Sequence, residues 1–265
     1  MKNEKALLYL LALTNFCHVL DMMVLMPLGN ELMDSFSIQP MQFSWLVSSY
    51  SISAGISSVL AAAYMDRFDR KILVMITLSL FAFSTLYCAF APTYKLFLLG
   101  RVLTGTFGGL TNSVVIAIVS DLVPYQRRGK AMGILSMAFA FASVLGVPLG
   151  LFIADIWGWH APFLFIFFIT VVIAITLYNV LPSLSQFVNK SSKRNPIAEM
   201  KMIYKNNNAM IALILAYTMV LGQFLIIPFI TPYSIRNIGV PQEAIKYIYL
   251  VGGACTLISA PIIGK

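Results

Sequence analysis

Between two long apolar runs lies the stretch Ala62-Ala63-Tyr64-Met65-Asp66-Arg67-Phe68-Asp69-Arg70-Lys71, which holds five charged side chains in its last six positions. Elsewhere charge is scarce, because only 11% of the 265 residues are charged and 59% are hydrophobic. A soluble domain carries about 25% charged residues, so this chain is expected to have the lipid bilayer as its solvent. A dense charged stretch between two membrane-length runs then indicates a short connection at the membrane surface.

Outward from this connection, runs of about 20 mainly apolar residues predict eight membrane-spanning helices. They lie near 6–28, 43–64, 71–91, 96–119, 131–154, 162–181, 208–230 and 244–263. Lys2 and Lys5 precede the first run, as in a signal peptide. That run has spanning length and lacks a small-residue cleavage pattern, so we interpret it as the first helix.

Lysine and arginine are distributed unequally between the two sides of these helices. Three lie on one side, Lys95, Arg236 and Lys246, and fourteen on the other: Lys2, Lys5, Arg67, Arg70, Lys71, Arg127, Arg128, Lys130, Lys190, Lys193, Arg194, Lys201, Lys205 and Lys265. The richer side is expected to be cytoplasmic. This predicts a multi-pass protein of the cell (inner) membrane with a cytoplasmic N-terminus. Four aromatic residues are then expected at the outer interface: Trp45, Tyr94, Trp157 and Trp159.

The distribution of charge also bears on partners. The net charge of +8 comes from these short connections and not from an aromatic-interleaved basic surface, so no nucleic-acid partner is expected. Cys17, Cys88 and Cys255 lie in apolar runs without paired spacing, which argues against a disulfide framework or a metal site. No cofactor is expected.

A polar segment divides the chain after the sixth predicted helix. We expect an N-terminal six-helix transmembrane bundle at 1–181, a cytoplasmic linker at 182–207 and the start of a C-terminal bundle, helices seven and eight, at 208–265. Two proline pairs, Pro27 with Pro40 and Pro228 with Pro241, are each 13 residues apart and bracket an outer loop in each half. Related six-helix halves are the organisation of one large class of transporters.

The charged stretch resembles the G-x-x-x-D-R-x-G-R-K signature of the major facilitator superfamily (MFS). Four positions match, Asp66, Arg67, Arg70 and Lys71, while Ala62 and Asp69 replace the two glycines. Asp69 would tolerate a left-handed conformation if the turn needed one. The resemblance implies an all-α polytopic membrane protein with the MFS fold: the complete N-terminal six-helix bundle plus the first two helices of the C-terminal bundle. It also implies a conformational hinge in which Asp66 caps a helix of the opposite half; the alternative is a connection that only satisfies topology.

A second resemblance lies in the fourth helix, where Arg101-Val102-Leu103-Thr104-Gly105 is similar to the family's R-x-x-q-G motif. At 1.5 Å per residue, Arg101 lies about 9 Å and Asp21 about 10 Å below the outer surface. Because the family places helices one and four side by side, we expect these opposite charges to pair or to share a cavity. The alternatives are an arginine that extends outward to the interface and an aspartate near a helix end.

Thr14, His18 and Asp21 form one polar stripe at helical spacing on the first helix. The stripe is expected to face the transport cavity, with Asp21 as the proton-coupling carboxylate. His18 either joins a proton relay with Asp21 or makes an ordinary interhelical hydrogen bond. Further candidates for the cavity wall are Tyr50, Asn112, Tyr217 and Gln223.

In the fifth helix, Gly146-Val147-Pro148-Leu149-Gly150 is similar to the glycine and proline motif of the family's antiporters. Gly146 and Gly150 share a face and permit close helix contact, and Pro148 frees the carbonyl of Val144 and is expected to bend the helix. A plain glycine packing face is the alternative.

A second charged group lies at the cytoplasmic side after the fourth helix. There Asp121, with Arg127, Arg128 and Lys130, can pair with Asp66 and Arg70.

The resemblance implies a secondary active transporter, similar to drug and sugar-efflux proton antiporters, that exports a small organic solute or drug by alternating access. Its partners would be the bilayer, a small-molecule substrate and protons. A passive or symporting carrier, or a non-transporting fragment, is the alternative. An enzyme is not expected, since the sequence lacks a catalytic constellation. Because Gly264-Lys265 ends the chain where a second charged stretch would begin, we expect a C-terminally truncated sequence.

Overall fold

The computed structural model describes residues 4–65, 68–182, 184, 202, 204–252 and 255. Every regular element in these ranges is helical. The α-helices are α1 Glu4–Val24, α2 Gly29–Phe36, α3 Pro40–Tyr64, α4 Arg70–Ala89, α5 Tyr94–Leu122, α6 Tyr125–Phe141, α7 Val147–Trp157, α8 Ala161–Val180 and α9 Asn207–Tyr233. The chain also forms two π-helical segments, Ala142–Gly146 and Ser234–Ile238, and one 3-10 turn, Gln242–Ala244. Residues 245–252 are again helical.

Five described segments have the length and apolarity of membrane spans: Lys5–Val24, Arg70–Ala89, Tyr94–Leu122, Tyr125–Trp157 and Ala161–Val180. The helices α3 and α9 are 25 and 27 residues long, which is also sufficient to cross a bilayer. The predicted class, an all-α polytopic membrane protein, is confirmed. Most of the expected linker, including 185–200, and most of the expected eighth helix beyond 252 lie outside the described residues.

The long helix α5 lies at the centre of the bundle and packs against both α3 and α4. Close approach to α3 depends on glycine: a Cβ atom on Gly109 would lie 2.5 Å from the carbonyl oxygen of Ala54. Small residues allow helix backbones to approach in this way inside membranes. The helix α1 packs on α6 and α8, and α4 packs on α8, so α1 and α5 both reach the bundle interior.

The first predicted helix, 6–28, was too long, because α1 ends at Val24 and a separate short helix, α2, follows. Pro27 has no N–H and cannot continue the helical hydrogen bonding. Two turns follow, in which the Met26 N–H donates to Met23 O at 3.2 Å and the Gly29 N–H donates to Met26 O at 3.3 Å. The side chains of this connection are buried, so α2 is part of the core and not a free loop.

The expected outer aromatic belt is only partly present. Trp45 and Trp157 are exposed, as expected for an interface. Trp159 is 8% exposed and packs against Phe36, Phe97 and Phe163, with ring centroids 5.3, 5.5 and 6.4 Å away. The expectation for Trp159 was therefore wrong, because the end of the bundle offers aromatic partners that the sequence does not reveal.

Candidate functional site

A buried ion pair joins α1 to α5 inside the bundle. The Nη1 atom of Arg101 donates to Oδ2 of Asp21 at 2.7 Å, and both side chains are 0% exposed. An isolated charge in such surroundings is very costly, and a close opposite charge offsets much of that cost. The two side chains that the sequence placed at one depth are thus in direct contact.

Tyr50 of α3 is a third member of this cluster. Its ring centroid lies 4.7 Å from the Arg101 guanidinium carbon, a distance typical of a cation–π contact. Its hydroxyl donates to the carbonyl oxygen of His18 at 3.1 Å, which ties α3 to α1 beside the ion pair. A Cβ atom on Gly108 would lie 2.8 Å from this hydroxyl, so a larger residue there would displace the Tyr50 side chain. Sequence reasoning named Tyr50 only as a polar residue of a cavity wall.

The pair is incompletely hydrogen-bonded. Asp21 Oδ1 and the Nε and Nη2 atoms of Arg101 are buried and make no hydrogen bond within the described part of the chain. Unpaired polar atoms in an apolar interior cost free energy comparable to a lost hydrogen bond. One charge-assisted hydrogen bond therefore joins the two side chains, and loss of either charge would remove the attraction that offsets these unpaired atoms.

The other residues of the predicted stripe bind elsewhere. Thr14 is buried and donates to the carbonyl oxygen of Leu10 in its own helix at 3.0 Å. The His18 ring lies 2.5 Å from the Asn15 side-chain oxygen, and Asn15 donates to Leu135 O of α6 at 3.1 Å. Asn15 therefore links His18 to α6, a contact that spacing along α1 alone does not indicate.

At the opposite end of α5 lies the charged stretch between α3 and α4. Arg70 donates through Nε to Oδ2 of Asp121 at 3.1 Å and through Nη1 to the carbonyl oxygen of Met65. Arg70 thus connects the start of α4 to the ends of α5 and α3. Asp66 and Arg67 lie outside the described residues, as does the side-chain environment of Ala62.

Asp69 and Lys71 begin α4. The Asp69 side chain accepts from the backbone N–H of Lys71 at 2.8 Å and from that of Leu184 at 3.3 Å. The φ angle of Asp69 is −64°, so this turn does not need a residue in the left-handed conformation. Asp69 is instead the N-cap of α4, a position that favours aspartate over glycine. The Lys71 ammonium lies 4.8 Å from the centroid of the Tyr178 ring.

The fifth membrane span is interrupted at the predicted motif. A π-helical segment, Ala142–Gly146, separates α6 from α7, and the N–H of Val147 bonds back to Ala142 O. Pro148 follows in the first turn of α7, where its missing N–H is tolerated. Such π-helical turns occur frequently at functional sites.

Both glycines of this motif face α1. A Cβ atom on Gly146 would lie 2.7 Å from Leu20 Cδ1, and one on Gly150 would lie 2.6 Å from Val24 Cγ2. These contacts flank Asp21 along α1. The interrupted span therefore lies directly against the helix segment that carries the buried carboxylate.

Comparison with known proteins places these features in a family. The family model described as Major Facilitator Superfamily matches residues 11–265. The Bacillus subtilis uncharacterized MFS-type transporter YwfA is 33% identical over 164 residues, which cover 61% of this chain and 40% of YwfA. Multidrug resistance protein 2 of the same organism is 29% identical over 175 residues, which cover 66% of this chain and 44% of that protein. The chain thus spans less than half the length of these relatives.

Solved structures agree with this assignment at the level of the fold. A D-xylose–proton symporter superposes with a TM-score of 0.72 at 18% identity, covering 95% of this chain and 66% of the symporter. A bacterial homologue of the human lysosomal transporter Spinster, in an inward-facing and occupied conformation, gives a TM-score of 0.73 at 18% identity, covering 97% of this chain and 61% of the homologue. With its helical fold, its charged stretch and a family match over nearly its whole length, the chain belongs to the Major Facilitator Superfamily.

Proposed function

We propose that the protein is a secondary active transporter that exports a small organic solute or drug in exchange for protons by alternating access. The observation that carries the proposal is the fully buried contact between Asp21 and Arg101. Ionisable residues inside membrane spans are rare and mark ion or substrate pathways. Family membership makes transport, and not catalysis, the class of activity.

Protonation of Asp21 would cancel its charge and leave the Arg101 guanidinium without a counter-ion. A buried ion that loses its partner is strongly destabilised, so α1 and α5 would then favour an arrangement in which Arg101 reaches water or another anion. The pair thereby couples proton binding to a movement of helices. The π-helical turn against α1 is a suitable place for that movement, since its backbone is already irregular.

An apolar groove supports the proposal that the substrate is lipophilic. It lies between α1 and α6 and has a volume of about 390 Å³, within the range of small-molecule sites. Its walls include Leu13 and Phe16 on one side and Met137 and Phe141 on the other. The name of the relative Multidrug resistance protein 2 is consistent with such a substrate.

Three further parts of the proposal come from the sequence. They are the division into a bundle at 1–181, a linker at 182–207 and a second bundle from 208, the cytoplasmic N-terminus in the inner membrane, and the role of Asp66 as a conformational latch. The contacts of Arg70 with Asp121 and Met65 support the idea that the charged stretch organises one end of the bundle.

The test uses everted membrane vesicles that contain the protein, ethidium as the probe and an imposed pH gradient. The parent should accumulate ethidium, and Asp21→Asn and Arg101→Ala should abolish gradient-driven accumulation. Asp21→Asn should retain ethidium exchange without a gradient, which separates binding from coupling. Asp34→Asn and Arg236→Ala, which remove exposed charges of the same kinds, are the matched controls.

Three results would contradict the proposal. Undiminished accumulation by Asp21→Asn would exclude Asp21 as the coupling group. Flow of ethidium that only dissipates its own gradient would indicate a passive carrier. Accumulation of a sugar such as xylose together with inward proton movement would indicate a symporter.

A further inference from the structure

A second groove lies on the outside of the bundle, between α4 and α8. Its volume is about 550 Å³. One wall is formed by α4, with Met75, Ser79 and Phe83, and the other by α8, with Phe167, Val171 and Tyr178. It shares no lining residue with the groove between α1 and α6 or with the ion pair.

The two ends of this groove differ in chemistry. At one end the rings of Phe83 and Phe167 lie 6.4 Å apart, which makes that end aromatic. At the other end Tyr178 and Asn179 line the groove close to the end of α8 at Val180. There the Lys71 ammonium lies over the Tyr178 ring, so this end carries a positive charge.

The length of the groove matches one leaflet of a bilayer. Phe167 and Asn179, which line the two ends of the groove on α8, are twelve residues apart, which corresponds to about 18 Å at 1.5 Å per residue. Half of a hydrocarbon core of about 30 Å is ~15 Å. The cation therefore lies at the depth of lipid headgroups, and the aromatic end lies near the bilayer centre.

The groove is also open to the bilayer. Phe83 is 63% exposed, Ile175 is 60% exposed and Tyr178 is 59% exposed, although all three lie in membrane-spanning helices. The wall residues are apolar apart from Ser79, Tyr178 and Asn179, and no carboxylate is among them. A second copy of this face would bring two Lys71 cations close together, an arrangement that like-charge repulsion disfavours. An amphiphile with an anionic head has the complementary charge.

We propose that this groove is a binding site for an anionic glycerophospholipid. One acyl chain lies between α4 and α8, and the phosphate group contacts the Lys71 ammonium and the Tyr178 hydroxyl. Basic positions between transmembrane helices bind anionic headgroups in this way. The proposal does not depend on the substrate or on proton coupling, because none of the groove residues takes part in the ion pair.

The test is native mass spectrometry of the delipidated full chain in detergent, titrated with phosphatidylglycerol and with phosphatidylcholine of the same acyl composition. The parent should retain phosphatidylglycerol in preference to phosphatidylcholine. Lys71→Gln should weaken phosphatidylglycerol binding about fivefold, the effect of one cation near a headgroup, and should remove the preference. Ser79→Trp, which fills the groove, should weaken binding of both lipids.

Two variants control for general effects. Lys130→Gln removes an exposed cation elsewhere, and Ile76→Trp adds the same indole to an exposed position of α4 that does not line the groove. Both should bind lipid as the parent does, and circular dichroism should show equal helix content in all variants. Tyr178→Phe keeps the ring and removes the hydroxyl, and should weaken phosphatidylglycerol binding even if Ser79→Trp fails to fold.

The proposal is overturned if Lys71→Gln and Tyr178→Phe bind phosphatidylglycerol like the parent, or if the control variants lose as much binding. It is equally overturned if the parent has the mass of a dimer that Ser79→Trp converts to a monomer, because the groove would then be covered by a second copy.

Discussion

The contact between Asp21 and Arg101 makes a quantitative prediction about stability. Its atoms are 2.7 Å apart and fully buried. Unit charges about 4 Å apart attract by roughly 4 kcal/mol at an effective dielectric constant near 20, and removing one partner of a buried pair costs about 3–5 kcal/mol. We expect Asp21→Asn and Arg101→Gln each to lower the free energy of unfolding by that amount. The double variant should lose less than the sum, with a coupling energy of about 1–3 kcal/mol.

The assay is unfolding by sodium dodecyl sulfate in mixed micelles, followed by the fluorescence of the three tryptophans. The same cycle on Lys246 and Asp155 provides the control, because that pair is 4.0 Å apart with side chains 31% and 34% exposed. An exposed pair contributes about 0–1 kcal/mol. If the effects at Asp21 and Arg101 add within about 0.5 kcal/mol, the two side chains do not stabilise each other, which would contradict this prediction.

The remaining predictions concern packing, pH and orientation. Gly109→Ala should lower the free energy of unfolding by about 1–3 kcal/mol, because its Cβ would lie 2.5 Å from Ala54 O. Gly133→Ala, where a Cβ meets nothing within 4 Å, should leave that free energy unchanged or raise it by up to about 1 kcal/mol. Burial, and then the Asp155 carboxylate, raises the pKa of Glu31, so the folded protein holds that proton more tightly than the unfolded chain. Stability should fall as pH rises from 4.5 through the raised pKa, and thermal melts of Glu31→Gln should show a smaller fall. In a cysteine-free background, Ser35→Cys should react with an impermeant maleimide in intact cells, and Ser192→Cys should react only after permeabilisation. The reverse pattern would show that the predicted orientation in the membrane is wrong.

Features that depend on one helix and its depth in the bilayer could be predicted from the sequence. Apolar runs of spanning length indicated the helical membrane class, and opposite charges inside two neighbouring helices indicated the contact of Asp21 with Arg101. The depth of Asp21 was counted from Leu28, whereas α1 ends at Val24. The shared face of Gly146 and Gly150 followed from helical spacing, and the structure has both against α1. Their roles in transport stay predictions.

Features that depend on the register between helices could not be predicted. His18 binds Asn15, which in turn binds α6, because of how α1 is rotated against that helix. Trp159 is buried because the end of the bundle offers aromatic rings. The short helix α2 was not predicted, because Asn30, Glu31 and Asp34 make 29–36 too polar for a membrane span, and the segment was assigned to the connection between two spans. The capping role of Asp69 could not be predicted, because it depends on α4 beginning at Arg70.

The buried connection between α1 and α3 has a practical consequence for protein engineering. Leu25, Leu28 and Leu32 are each 0% exposed, although they lie between the membrane-length helices α1 and α3. An epitope or a fluorescent protein inserted there would displace core side chains and produce a misfolded reporter instead of a labelled surface. Single-residue probes on the exposed rim, at Asp34 or Ser35, leave that core intact.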